Sequence, residues 1–254
     1  MSDVGIVVGA GGEIGAACAL ALAPSHSAVL CVDRDERAAE TTAAQIRQAG
    51  GVAAILVLDA GEPGFATSVV TAARELGAVR AAVHAIAHEE HVSALDITLD
   101  SIRTSFALGP IAAFSLFREL HAGGDLAAGA ALTVIGSLHA TRAFANTLGY
   151  NLAQAALAQL VTTLAHEWAS SGVRVNAVVP GWTRTRGETA LYGEAYLDAV
   201  AASLPMGRFG TAEDVAGAVE YLSSSKASYI SGSFLAVDGA LGSSLATLPG
   251  GDRA

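Results

Sequence analysis

The run Val8-Gly9-Ala10-Gly11-Gly12-Glu13-Ile14-Gly15 places glycines where a short apolar segment gives way to a helical pattern. Free N–H groups and the dipole at the start of a helix favour a phosphate, and glycines let the backbone approach it closely. Asp33 closes the next apolar segment roughly 20 residues on, where the dinucleotide-binding fingerprint places its acid. A carboxylate there accepts hydrogen bonds from ribose hydroxyls and repels a 2′-phosphate, so the pattern favours NAD over NADP; Arg34 softens that preference without reversing it. Asp33 alone could equally be a helix cap ahead of Asp35 and Glu36. Together with the glycine corner it reads as a cofactor ligand.

Such a corner needs strands and helices to hold it. Apolar runs at Val4–Val8, Ala28–Val32, Ala53–Leu58, Ala81–Ile86, Ala131–Ile135, Arg174–Val179 and Phe234–Val237 alternate with longer stretches of helical period. The runs are continuously apolar, which marks strands buried on both faces, so the pattern predicts a doubly wound parallel α/β sheet. The spacing predicts a helix over 36–49, with Ala38, Ala39, Thr42, Ile46 and Ala49 on one face and a stop at Gly50–Gly51. Ligands of such sheets lie beyond the carboxyl ends of the strands.

With 254 residues and no linker-like stretch, one Rossmann-like domain over 1–254 is expected, ending in a flexible or subunit-contacting tail at 242–254. The net charge of −10 comes from only 15% charged residues, with no basic cluster. That excludes a nucleic-acid or anionic-membrane footprint and leaves small molecules as partners. So little charge on an Ala- and Gly-rich chain also points to surface covered by other subunits, hence a homo-oligomer. Cys18 and Cys31 have no metal-type spacing and read as reduced core residues of a cytoplasmic protein; no metal site is expected. The stretch Val4–Ala23 imitates a signal peptide but lacks a basic start and contains Glu13. No segment offers the ~18 uninterrupted apolar residues of a membrane span.

Over nearly its whole length the chain resembles the short-chain dehydrogenase/reductase family. The glycine corner matches the family's TGxxxGxG at Gly9, Ile14 and Gly15, with Val8 for Thr and Glu13 for the middle Gly. Asn176-Ala177-Val178-Val179-Pro180-Gly181, followed by Thr183 and Thr185, looks like its Pro-Gly segment. Pro205-Met206-Gly207-Arg208-Phe209-Gly210, Glu213-Asp214-Val215-Ala216, Ser231-Gly232 and Val237-Asp238-Gly239 resemble its C-terminal pattern. The resemblance implies nicotinamide-dinucleotide contacts from Gly9, Gly12, Glu13, Ile14, Gly15, Asp33, Arg34, Asp59, Ala60, Ala85, Ile86, Gln154, Pro180, Gly181, Thr183 and Thr185. It also implies a catalytic pair thirteen residues apart, Ser137 polarising a substrate carbonyl or hydroxyl and Tyr150 passing the proton.

The departures from the family pattern are specific. Four residues after Tyr150 the family has Lys and this chain has Gln154, on the same helix face but uncharged. A free tyrosine has a pKa of about 10, and lowering it to about 7 takes roughly 4 kcal/mol of phenolate stabilisation, which an amide alone does not supply. The family's relay Asn falls on Phe106, and its NNAG segment is His84-Ala85-Ile86-Ala87, closer to the enoyl-reductase branch. That branch places Lys seven residues after its Tyr, where this chain has Leu157.

The first reading is an NAD(H)-dependent oxidoreductase interconverting a ketone and a secondary alcohol and biased to reduction, because a neutral Tyr150 already holds the proton that a nascent alkoxide needs. Unassisted, it would oxidise alcohols better as pH rises toward the phenol pKa. His84, His88, His91 or His139 could replace the missing base, with His139 best placed, two residues past Ser137. A redirected non-redox enzyme and a cofactor-binding partner subunit without turnover are the alternatives. The segment 183–204, with Trp182, Leu191, Tyr192 and Tyr196 in or beside it, predicts a substrate lid for a hydrophobic carbonyl or alcohol, unless those rings pack on a neighbouring subunit. The resemblance favours a tetramer, with a dimer as the smaller assembly.

Overall fold

The computed structural model describes residues 3–185, 189 and 192–243. Seven strands form one parallel sheet: β1 (Asp3–Val8), β2 (Ala28–Asp33), β3 (Ala53–Val57), β4 (Ala78–His84), β5 (Leu126–Ile135), β6 (Arg174–Pro180) and β7 (Phe234–Val237), in spatial order β3-β2-β1-β4-β5-β6-β7. The order reverses between β1 and β4, which opens a crevice beyond their carboxyl ends. All seven expected strands are present. β4 starts earlier than expected and ends at His84, so Ala85 and Ile86 lie in the turn beyond it, and β5 starts earlier, at Leu126.

Alternation along each strand sends neighbours to opposite faces. Ile6, Val8, Leu30 and Val32 join Leu132 and Val134 on one face, covered by α3 (Phe65–Leu76), α5 (Ala112–Ala122) and α6 (Leu148–Glu167) through Val69, Leu116, Phe117 and Val161. Val7, Val29, Cys31 and Val83 face the other way, against α1 (Glu13–Leu22), α2 (Glu36–Gln48) and the last helix α8 (Ala212–Ser223) through Leu22, Ile46, Val219 and Leu222. Truncating a buried ring such as Phe117 to Ala would cost about 3–5 kcal/mol. Cys18 and Cys31 are buried and unpaired, and burial pushes both thiols up to about 12.

The family-like C-terminal segment binds the sheet edge together. Asn176, fully buried in β6, donates to the Ile230 carbonyl and accepts from the Ser233 N–H and hydroxyl. Arg208 pairs with Asp214 at 2.6 Å while Thr211 and Asp214 form a reciprocal cap on α8. No helix among the described residues is long and apolar enough to cross a membrane.

Within the expected lid, α7 (Glu194–Ala201) buries Leu197 and Val200 against Leu204, Phe209 and Trp182. Trp182 meets Phe209 edge-on at 5.2 Å and Tyr192 at 5.9 Å, so at least these rings pack within the chain. Arg184 ties the segment to α7 through Glu194 and Asp198. Leu191 and the tail from Ser244 onward lie outside the described residues.

Candidate active site

The glycine corner is held by backbone. The Gly9 and Ala10 N–H groups both donate to the Val32 carbonyl, at 2.8 and 3.1 Å, and the Thr42 hydroxyl donates to the Ala10 carbonyl. Gly9 adopts φ +88°, and a Cβ there would lie 2.6 Å from the Ala85 carbonyl oxygen. At Gly15 a Cβ would stand 1.9 Å from the Gly9 carbonyl oxygen, so helix and turn touch with no room for a side chain. Gly12 caps α1 from an extended conformation, its own N–H donating to the Gly9 carbonyl at 3.1 Å, so the helix starts at the crevice.

Asp33 is tied into this corner. Its Oδ2 accepts from the Gly11 N–H at 2.8 Å and its Oδ1 from the Asp35 N–H at 3.0 Å. The cap of α2 is Asp35, which accepts from the Ala38 N–H; Asp33 is therefore not that cap. Arg34 reaches Asp59 at 3.7 Å, and Asp59 also accepts from the Gly61 N–H, so the two expected adenine-side residues meet at the ends of β2 and β3. Gly11 was not among the expected ligands, yet a Cβ there would press on Ala38 at 2.6 Å and on the Asp33 carboxylate at 2.9 Å. Its signal was a second glycine two positions after Gly9.

Opposite the corner, Ser137 follows β5 and Tyr150 lies in the first turn of α6, both half-buried. The Ser137 hydroxyl accepts from the His139 N–H at 3.3 Å, which leaves its own hydrogen for a substrate oxygen. Gln154 is 4% exposed and faces a cavity of about 10 Å³ shared with Ser137, Gly136, Leu157, Ala177 and Val179. Its Oε1 is sealed from solvent and has no hydrogen-bond partner. Leu157, the position the sequence compared with an enoyl-reductase Lys, is core against the sheet. Gly181 packs so tightly on Asp238 that a Cβ would come within 2.6 Å of its Cα, and Thr183 pairs with Gly210. A cavity of about 370 Å³ opens behind this turn, between Trp182, Met206, Arg208 and Leu241, and includes neither Ser137 nor Tyr150.

The four candidate histidines separate. His84 is fully buried, its Nε2 lies 2.9 Å from the Leu108 carbonyl, and burial pushes it down to about 4, so it is no cleft base. The carbonyl it holds belongs to a wide turn at 107–111 between α4 (Leu99–Phe106) and α5, where Pro110 and the non-helical Gly109 break the regular pattern. Phe106, the last residue of α4, leads into that turn. His88 lies near the Ser101 hydroxyl at 3.4 Å, and His91 pairs with Glu89. His139 alone touches both Ser137, through its backbone, and Tyr150, through its ring.

A family model described as Enoyl-(Acyl carrier protein) reductase matches residues 9–241. The chain belongs to the short-chain dehydrogenase/reductase family. It is 32% identical to the short-chain reductase protein NovJ of Streptomyces niveus over 93% of each chain. It is 34% identical to a cis-4-hydroxycyclohexanecarboxylate dehydrogenase of Sinomonas cyclohexanicum over 93% of this chain and 95% of the relative. A solved structure from Beutenbergia cavernae, described as an NAD(P)-dependent gluconate 5-dehydrogenase with NADP bound at low occupancy, superposes with a TM-score of 0.87 at 30% identity, over 95% of this chain and 97% of the other. This short-chain dehydrogenase/reductase is an oxidoreductase.

Proposed function

We propose that this enzyme reduces a ketone to a secondary alcohol with NADH, Ser137 orienting the carbonyl and Tyr150 donating the proton. The residues present fit a nicotinamide dinucleotide. Three glycines leave no room for a Cβ beside the N-terminal end of α1, and the Gln154 Oε1 is a buried acceptor awaiting a donor such as a ribose hydroxyl. An acceptor sealed without a partner costs about 1–3 kcal/mol, which an arriving hydroxyl would recover. Gly9, Gly12, Glu13, Ile14 and Gly15 would cradle the pyrophosphate, with Asp33, Arg34, Asp59 and Ala60 on the adenosine side. Ala85, Ile86, Gln154, Pro180, Gly181, Thr183 and Thr185 would line the nicotinamide side. The dinucleotide, when bound, supplies a hydride to the carbonyl carbon. Tyr150, with Gln154 where the family has a lysine, gives its proton to the carbonyl oxygen, and the reading is biased to reduction.

The observation that carries the choice of NADH is the Asp33 carboxylate, fixed by two backbone N–H groups at the ribose end of the corner. Fixed there, it accepts hydroxyls and repels a phosphate. The known relatives leave both options open, since the Beutenbergia cavernae structure carries NADP. The hydrophobic contacts of α7 and Trp182 support a lid over an apolar or ring-containing carbonyl compound. Exposed Leu95, Leu99, Ile111, Phe234 and Tyr229 support a homotetramer or dimer, and the unpaired cysteines suit a cytoplasmic location. Turnover of a panel of cyclic and aryl ketones tests the reading: consumption of NADH at least tenfold faster than of NADPH is expected. Binding of NADH with no turnover of any ketone would make the chain a cofactor-binding partner instead.

A further inference from the structure

His139 is held more firmly than a loop histidine needs to be. One face of its ring stacks on Phe144, with centres 3.9 Å apart and planes at 8°. Its Nδ1 lies 2.6 Å from the Asn151 Oδ1. The Asn151 amide is oriented in turn, because its Nδ2 donates to the Phe144 carbonyl at 2.9 Å and the Thr147 hydroxyl lies 3.2 Å from its Oδ1. With an amide oxygen facing Nδ1, the hydrogen of the neutral ring sits on Nδ1, and Nε2 carries the lone pair. Among the described residues, the ring hydrogen bonds of His139 are made at Nδ1. The ring meets Tyr150 edge to face, centres 4.9 Å apart at 70°.

We propose that His139 exchanges the proton of Tyr150, in the role left open by the missing lysine, and that Asn151 is the residue that positions it. The proposal rests on the reductase reading above and adds the route of the proton. In alcohol oxidation the substrate O–H proton passes to the Tyr150 oxygen as the phenol proton passes to the His139 Nε2. The carbon-bound hydrogen leaves with its electron pair to the oxidised dinucleotide, the C=O bond forms, and the imidazolium releases its proton to water. Ketone reduction runs the same steps backwards. Burial pushes the imidazole below its ordinary range, partly offset by the bond to Asn151, and its electrostatic interaction with His91 adds to the lowering. His139 is therefore an unprotonated acceptor at neutral pH. Among the described residues the other titratable groups facing it are Tyr150 and His91, the latter paired with Glu89 at 3.2 Å.

The test is the pH profile of oxidation, using the alcohol of whichever panel ketone turns over fastest. The parent should show an acid limb below about 6.5 and a plateau above it. In His139→Gln the limb disappears, oxidation at pH 7 drops at least tenfold, and the remaining rate climbs toward pH 10. Asn151→Asp puts a carboxylate beside Nδ1 and should move the limb up by about one pH unit, with the same shift in the His139 C–H proton resonance of the protein without cofactor or substrate. His91→Asn should keep the limb. A limb that survives in His139→Gln, or a limb and resonance unmoved in Asn151→Asp, overturns the proposal while the reductase reading stands. No ketone turnover by the parent enzyme overturns both.

Discussion

The glycine corner between β1 and α1 is built from backbone, whereas the cleft between β5 and α6 is built from side chains. At the corner the Gly9, Ala10 and Gly12 N–H groups bond to main-chain carbonyls, and the two side chains that join them, Asp33 and Thr42, also bond to main-chain groups. In the cleft, Ser137, His139, Thr147, Asn151 and Tyr150 hold one another. A backbone site demands glycine wherever a Cβ would collide, so its sequence pattern is confined. A side-chain site can be rebuilt with different groups as long as hydrogen bonds and protons are accounted for. The difference fits the expectation from the sequence that the corner keeps the family's glycines at 9 and 15 while the cleft is changed at Phe106, Gln154 and His84.

The contrast breaks most visibly at Tyr150. Tyr150→Phe should lower ketone reduction by about 10²–10⁴-fold and leave NADH affinity unchanged, measured by steady-state kinetics beside a fluorescence titration. Lost affinity would mean that the two regions are not separable. Gly15→Ala should do the reverse. Its methyl, 1.9 Å from the Gly9 carbonyl oxygen, forces α1 off the corner, and affinity should drop about 100-fold, the equivalent of about 3 kcal/mol of overpacking. Unchanged binding in a folded Gly15→Ala protein would contradict a corner shaped for a ligand.

His84 sharpens the comparison from the side of stability. Its folded-state pKa, pushed down to about 4, lies below the unfolded value of about 6.5. The folded state resists protonation that the unfolded chain accepts, so this contribution is complete above pH 6.5 and is lost as pH falls toward 4. Over that window it amounts to about 3 kcal/mol. Urea unfolding at pH 7 and pH 4.5 should show a smaller acid loss in His84→Asn than in the parent. Equal losses would mean that the contact with Leu108 is not sealed.

Most of the fold was legible in the sequence because buried parallel strands are continuous apolar runs and their alternation with helices implies a parallel sheet covered on both faces. The glycine corner and Asp33 were legible because their spacing along the chain reflects one strand-turn-helix unit. Gly11 was passed over because its importance lies in a contact with Asp33, 22 residues away, that only the folded corner creates. The pairing of His84 with Leu108 was hidden for the same reason, and a histidine at a strand end looked like a base when burial makes it a structural donor. His139 was visible by its distance from Ser137. Asn151, next to Tyr150, was not, since its part depends on which way the first turn of α6 faces.

The central claim is that the corner binds NADH through an acid fixed for ribose hydroxyls, whatever has become of the proton-handling half. Calorimetric titration of NADH into the parent protein and into Asp33→Ala tests it directly. The account predicts saturable heat for the parent and about tenfold weaker binding in the variant, the equivalent of about 1.4 kcal/mol. No heat from the parent at millimolar NADH, or equal affinity in the two proteins, would contradict it.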